Sequence, residues 1–234
     1  GASTDLVALF DVDLTADNLP APSWNIAPTD PVAIVLDSIP KGEDADTEPV
    51  RRLEAARWGL VPGWAKDVKM GVTAFNARIE TAAEKPHFAN GVKKRRALIP
   101  ATGYYEWHTV GETKTPHFIH LPEGELLVFA GLYEWWRNPA AADDSPDKWL
   151  LSTSILTRES TGALARIHDR MPVFLAPELA DEWLDPHTEG DLELLEEVSY
   201  GAVEQAERVE FYEVGRAVGN VRNNSPELIE PAGG

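Results

Sequence analysis

The sequence predicts one α+β domain over residues 1–234, with a mostly antiparallel, β-barrel-like core and peripheral helices. Three observations carry that expectation. Runs rich in β-branched and aromatic residues follow one another between Gly and Pro turn signals from Ala97 onward. The strands and helices lack the regular alternation of a doubly wound fold. A length of 234 residues with 43% hydrophobic content suffices for one substantial core.

In chain order, Ser3 and Thr4 can cap a short helix through about Phe10, with Leu6, Val7, Leu9 and Phe10 as its apolar face. A turn-rich stretch follows to Pro31. Val32–Leu36 reads as a buried strand, Gly42–Glu48 as an exposed acidic loop, and Glu54–Val61 as sheet ending at the Pro62-Gly63 turn. A short helix is expected over Ala82–Asn90. The strand-like segments are then Ala97–Ile99, Gly103–His108, His117–His120, Leu126–Tyr133 and Trp149–Leu156. Helices are expected at Ser160–Ile167, at Pro177–Leu184, where proline suits the first turn, and at Asp191–Val198. Arg208–Val214 closes the series as a late strand.

Composition narrows the function. No run approaches the roughly 18 apolar residues of a membrane helix, and Gly1–Phe10 lacks the pattern of a signal peptide. A cytoplasmic protein is expected, nucleoid-associated in a bacterium, with no membrane partner. The absence of cysteine excludes disulfides, thiolate metal sites and thiol catalysis by the chain as written. A net charge of −18 disfavours broad, nonspecific binding to duplex DNA, because the mean field repels phosphate. Basic islands at Arg51-Arg52 and Lys93-Lys94-Arg95-Arg96 leave room for a local groove.

Three polar residues stand out. Glu106 is flanked by aromatics in Gly103-Tyr104-Tyr105-Glu106-Trp107, and an apolar surround raises a carboxyl pKa toward acid–base use. Taken alone, a solvent-facing glutamate on an edge strand is the simpler reading. His168, beside Asp169 and Arg170, can exchange a proton near neutrality, although most loop histidines are incidental. Asn76 offers a donor and an acceptor without titrating; alone, it reads as a turn or cap.

Other motif classes fare poorly. His117 and His120 fall on opposite faces of a strand, and there is no HExxH, phosphate-binding loop or dinucleotide fingerprint. Ser152 and Ser154 lack a nucleophile elbow. Neither metal nor cofactor is expected. Of the eight tryptophans, Trp58 looks core-like; Trp64, past the Pro62-Gly63 turn and beside Lys66, is the candidate for stacking an unpaired base.

Taken together, several stretches resemble the SOS response-associated peptidase family, also described as abasic-site processing proteins. They are WNIAPT from Trp24, WGLVPGWAKD from Trp58, FNARIETAAEKPHF from Phe75, ALIPATGYYEWH from Ala97, FAGLYEWW from Phe129, SILTRE from Ser154, IHDRMPVFL from Ile167 and AVGNVRNNSPELI from Ala217. The resemblance spans nearly the whole chain, in the family's order. It implies a groove for single-stranded or gapped DNA containing abasic sites, with no obligatory protein partner. It also implies an N-terminal cysteine whose amine and thiol close a thiazolidine on the abasic aldehyde.

By motif, Asn76 looks like the residue orienting the N-terminal group or sugar, and Glu106 like the acid/base for methionine removal, imine formation and crosslink reversal. His168 looks like the proton donor to the opening sugar, and Thr157 like a supporting hydroxyl. Arg78 and Arg170 match backbone-contacting positions, Asn25 a groove motif and Trp64 the base-supporting aromatic. The family opens Cys-Gly-Arg, whereas this sequence opens Gly1-Ala2-Ser3, so an N-terminally shortened form without durable crosslinking is expected. Two alternatives stay open: a noncovalent single-stranded DNA-binding module, and a thiol peptidase limited to self-processing.

Overall fold

The structure, a computed structural model, describes residues 2–233, with side chains from Asp5 onward. The elements are α1 (Ala2–Phe10), β1 (Leu14–Thr15), β2 (Pro31–Ser38), β3 (Val50–Trp58), β4 (Asn76–Arg78), α2 (Ala89–Lys94), β5 (Arg96–Ala101) and β6 (Tyr104–Val110). They continue as β7 (Thr113–His120), β8 (Leu127–Arg137), β9 (Trp149–Glu159), β10 (Arg170–Pro172), α3 (Ala180–Leu184), α4 (Leu192–Ala206) and β11 (Glu210–Glu213). The expected caps Ser3 and Thr4 have side chains outside the described residues.

Five strands, β3-β2-β5-β8-β9, close into a barrel, and the α+β expectation holds. Four of the contacts are antiparallel; closure comes from a short parallel pairing of β3 with β9 at Arg57↔Ser152 and Trp58↔Thr153. Leu98, Leu132 and Leu156 are 0% exposed at its centre. Each such side chain contributes about 1.5–3 kcal/mol of transfer free energy on burial. Leu6, Val7 and Phe10 of α1 pack on the same core.

The fold is organised around β9. Leu151–Thr157 are buried without a break, the signature of a strand covered on both faces. Two of its buried polar residues are paired, Ser152 Oγ accepting from the Val61 amide at 2.8 Å and Thr153 donating to the Leu132 carbonyl at 2.7 Å, while the Ser154 hydroxyl has no partner. Both Ser152 and Ser154 are 0% exposed and so out of a substrate's reach. Along its outer part β9 also pairs with β4 in parallel and β10 antiparallel.

A second sheet, β11-β7-β6, stands beside the barrel. On β6, Tyr105 and Trp107 face a small cluster around Phe118, Val214 and Leu228. By alternation Tyr104 and Glu106 face the other way. The Tyr104 ring packs edge-on to Phe129 of the barrel, 5.8 Å between centroids.

Several helices differ from expectation. Over Ala82–Asn90 the chain makes turns, and α2 starts only at Ala89. Pro86 is the reason: it has no N–H to donate and disfavours helical geometry at Lys85. Between Ser160 and Ile167 only a 3₁₀ segment forms, Gly162–Arg166, entered through Gly162 at φ +57°. Conversely α4 runs past Val198 to Ala206, with Asp191 capping it by accepting from the Leu194 amide at 2.9 Å. β3 stops at Trp58, short of Val61, because Gly59 turns to φ +140° and its backbone meets that of Gly71. A Cβ on Gly59 would come within 2.4 Å of the Gly71 oxygen. Among the described residues no helix is long and apolar enough to cross a membrane.

Candidate functional site

Glu106 and His168 come together where the second sheet meets the barrel edge. Oε1 of Glu106 lies 4.0 Å from Nε2 of His168, with the carboxylate side chain 25% exposed and the imidazole 42%. Burial pushes the Glu106 carboxyl up from its ordinary value; His168 and the Trp107 amide pull it back, and Asp169 pushes it up again. The result is a carboxyl that takes a proton more readily than one in water.

The tautomer of His168 follows from its other nitrogen. The Arg170 amide, its hydrogen fixed by the backbone, donates to Nδ1 at 3.1 Å. A neutral ring therefore carries its proton on Nε2, toward Glu106. Asp169 Oδ1 and the Arg170 carbonyl, each 3.3 Å from Nδ1, accept from that nitrogen only once the ring is doubly protonated. At 4.0 Å the two groups are too far apart for a hydrogen bond, and a small movement or one water closes the distance.

β4 carries two further candidates, Asn76 and Arg78. Its exposure alternates, so Asn76 and Arg78 point outward while Ala77 enters the core, 1% exposed. Beyond the strand the rhythm continues, with Ile79 buried and Glu80 exposed. Arg78 lies opposite Thr157 of β9, and Thr157 faces Pro172 of β10 on its other edge. Two strands carrying candidate residues thus flank one buried threonine. Among the described residues, no ion pair or side-chain hydrogen bond engages Arg78.

Arg170 is already engaged. Its guanidinium clasps Glu80 with two bonds of 2.8 Å and donates to Thr157 Oγ1 at 3.1 Å. Arg170 holds the Glu80 carboxyl below its ordinary value. Sequence reasoning passed over Glu80, although the alternation Asn76, Arg78, Glu80 puts it on the same outward row.

Trp64 and Asn25 bond to other segments. Trp64 is 59% exposed, its ring edge-on to His87, and its Nε1 donates to the Pro86 carbonyl at 3.4 Å. Trp58 is part-buried on the barrel core, donating to the Phe75 carbonyl. The Asn25 amide donates to three carbonyls, those of Val218, Asn220 and Asn223, at 3.0–3.2 Å. Its neighbour Trp24 takes a 2.6 Å bond from the Tyr105 hydroxyl, on the face of β6 opposite Glu106. Asn25 therefore latches a C-terminal loop behind the strand that bears Glu106.

A mixed barrel with a carboxyl–imidazole pair at its rim places together two side chains of the type that acid–base chemistry uses. The chain belongs to the SOS response associated peptidase (SRAP) family, whose model matches residues 2–221. It is 37% identical over 231 residues to the abasic site processing protein YoqW of Bacillus subtilis, covering 97% of this chain and 94% of that one. It is 32% identical to the Escherichia coli abasic site processing protein YedK, covering 94% and 89%. The fold matches a crystal structure of a protein from Bacteroides thetaiotaomicron, with a TM-score of 0.70 and 23% identity, covering 87% of this chain and 82% of that one.

Proposed function

We propose that the protein processes abasic sites in single-stranded or gapped DNA, and that a form with an N-terminal cysteine joins itself to the lesion as a thiazolidine. The pairing of Glu106 with His168 is the observation that carries the reading. The names of the relatives, abasic site processing proteins, support DNA as the substrate.

The ring-opened abasic sugar presents an aldehyde. The cysteine α-amine adds to its carbon, water leaves, and an imine forms. The sulfur then bonds to the imine carbon, and the thiol proton passes to nitrogen. Each step moves a proton, and a carboxyl raised by burial can accept and return it. Glu106 serves that role, and serves the earlier release of an initiator methionine. His168, doubly protonated, gives its Nε2 proton to the sugar ring oxygen as the ring opens and keeps the Nδ1 proton, with Asp169 Oδ1 and the Arg170 carbonyl as acceptors. Asn76 orients the amine or the sugar, Trp64 supports a displaced base, and Arg78 meets the backbone.

The test compares a cysteine-bearing form with the thiol-free 234-residue chain on abasic single-stranded DNA. A heat-stable adduct is expected from the first alone. The second gives at most an imine trapped by borohydride, since an α-amine has a reference pKa of about 7.7–8. No adduct from the cysteine form overturns the proposal; equal, reversible binding to abasic and intact strands favours a noncovalent module.

A further inference from the structure

Trp64 presents its indole to solvent, yet the polar anchor of the ring is slight. Its Nε1 donates to the Pro86 carbonyl at 3.4 Å, longer than the usual range of about 2.7–3.2 Å. We infer that His87 is the positioning residue that holds this indole in the orientation in which it stacks a base. Three observations converge on it. The His87 ring meets the Trp64 ring directly, edge-on, with 6.4 Å between centroids and 79° between planes. Its Nε2 lies 2.6 Å from the Leu60 carbonyl oxygen, which can only accept, so Nε2 carries a proton. The Phe88 ring packs against the same imidazole, 4.8 Å between centroids. An imidazole bonded to the main chain and packed on a phenyl ring has little freedom to turn.

The anchor of His87 lies deep. Leu60 is 0% exposed, and its amide donates to the Ala74 carbonyl at 2.9 Å. On either side of Trp64 the main chain is fixed to the barrel. The Val61 amide donates to Ser152 Oγ on β9, and the Ala65 carbonyl accepts from Trp136 Nε1 on β8 at 2.7 Å. The torsions of the Trp64 side chain are the freedom that remains, and the Pro86–His87 turn supplies both groups that restrict them. A side chain ordered before binding loses less entropy when a base settles on it. The part played in stacking rests on the abasic-site reading; the hold of His87 on the indole does not.

The test reads Trp64 first in DNA-free protein. With ¹⁵N-tryptophan labelling, loss of one indole signal in Trp64→Phe assigns the ring, and its relaxation reports ps–ns motion. The unsubstituted protein is expected to give an order parameter near the value of about 0.85 found for rigid groups, and His87→Ala one toward about 0.6. His87→Gln can still donate to the buried Leu60 carbonyl, which guards the fold, but presents no ring; it should loosen the indole as His87→Ala does. An indole as rigid in folded His87→Gln as in the unsubstituted protein overturns the inference.

A second arm is a double-mutant cycle on binding of a single-stranded oligonucleotide with a tetrahydrofuran abasic analogue. His87→Ala should weaken binding at least about 2-fold, the lower bound of coupling between residues in contact, and should have no further effect once Trp64 is alanine. Equal losses in both backgrounds mean that His87 meets DNA by itself, and overturn the inference. If Trp64→Ala leaves binding unchanged, or no form binds, the stacking reading fails and the motion of the indole alone decides the role of His87.

Discussion

Nε2 of His168, in the loop before β10, lies 4.0 Å from Oε1 of Glu106 in the second sheet. Glu106 is on β6 of the three-stranded sheet, and His168 precedes β10 on the barrel. The chemistry of the site is thus set by how the two sheets meet. Substitutions that shift β6 against β9 change it without touching either group.

Glu106→Gln separates the cost of that arrangement from its use. Burial raises the carboxyl above its value in the unfolded chain, so the native state binds this proton more tightly. Its contribution to stability therefore falls as pH rises from the ordinary value of 4.5 through the raised one. The variant's melting temperature, relative to the parent, should be higher at pH 7 than at pH 4. An equal difference at both contradicts the raised pKa. In the cysteine-bearing form, adduct formation should slow about 100-fold or more, read by gel under single-turnover conditions.

Trp64→Ala tests the exposed indole. Stacking on one base is worth about 1–3 kcal/mol, so affinity for single-stranded DNA should drop roughly 5- to 150-fold. Since Trp64 is 59% exposed, unfolding by urea should move by no more than about 0.5 kcal/mol. A large loss of stability with unchanged binding would make Trp64 a packing residue.

Asn25→Ala should act in the opposite way. It leaves the carbonyls of Val218, Asn220 and Asn223 without their shared donor, at a cost of about 1–3 kcal/mol. Faster amide exchange across the 218–223 loop would accompany it. Intact stability with weakened oligonucleotide binding would instead give Asn25 the groove contact implied by its motif.

Arg78→Gln should make the salt dependence of single-stranded binding shallower by about 0.7, the effect of one phosphate contact. Arg78 is exposed on a strand whose core contact is Ala77, so little change in stability is expected. An unaltered slope would remove Arg78 from the interface.

Sequence by itself determined the barrel strands, because apolar runs such as Val32–Leu36 and Trp149–Leu156 are readable over a few residues. It also separated Trp58 from Trp64, since the Pro62-Gly63 turn lies between them. It marked Glu106 and His168 through motifs, without showing that they meet. Only the tertiary structure decided the parallel closure of β3 on β9, the meeting of Glu106 with His168, the Asn25 latch and the clasp of Glu80 on Arg170. Each joins segments far apart in the chain, and local periodicity carries no information about which distant edge a strand will find. The helix expected at Ala82–Asn90 differed for a local reason, Pro86. Glu80 was legible as an outward residue but not as a partner of Arg170, because that pairing exists only where β4 and β10 flank the end of β9.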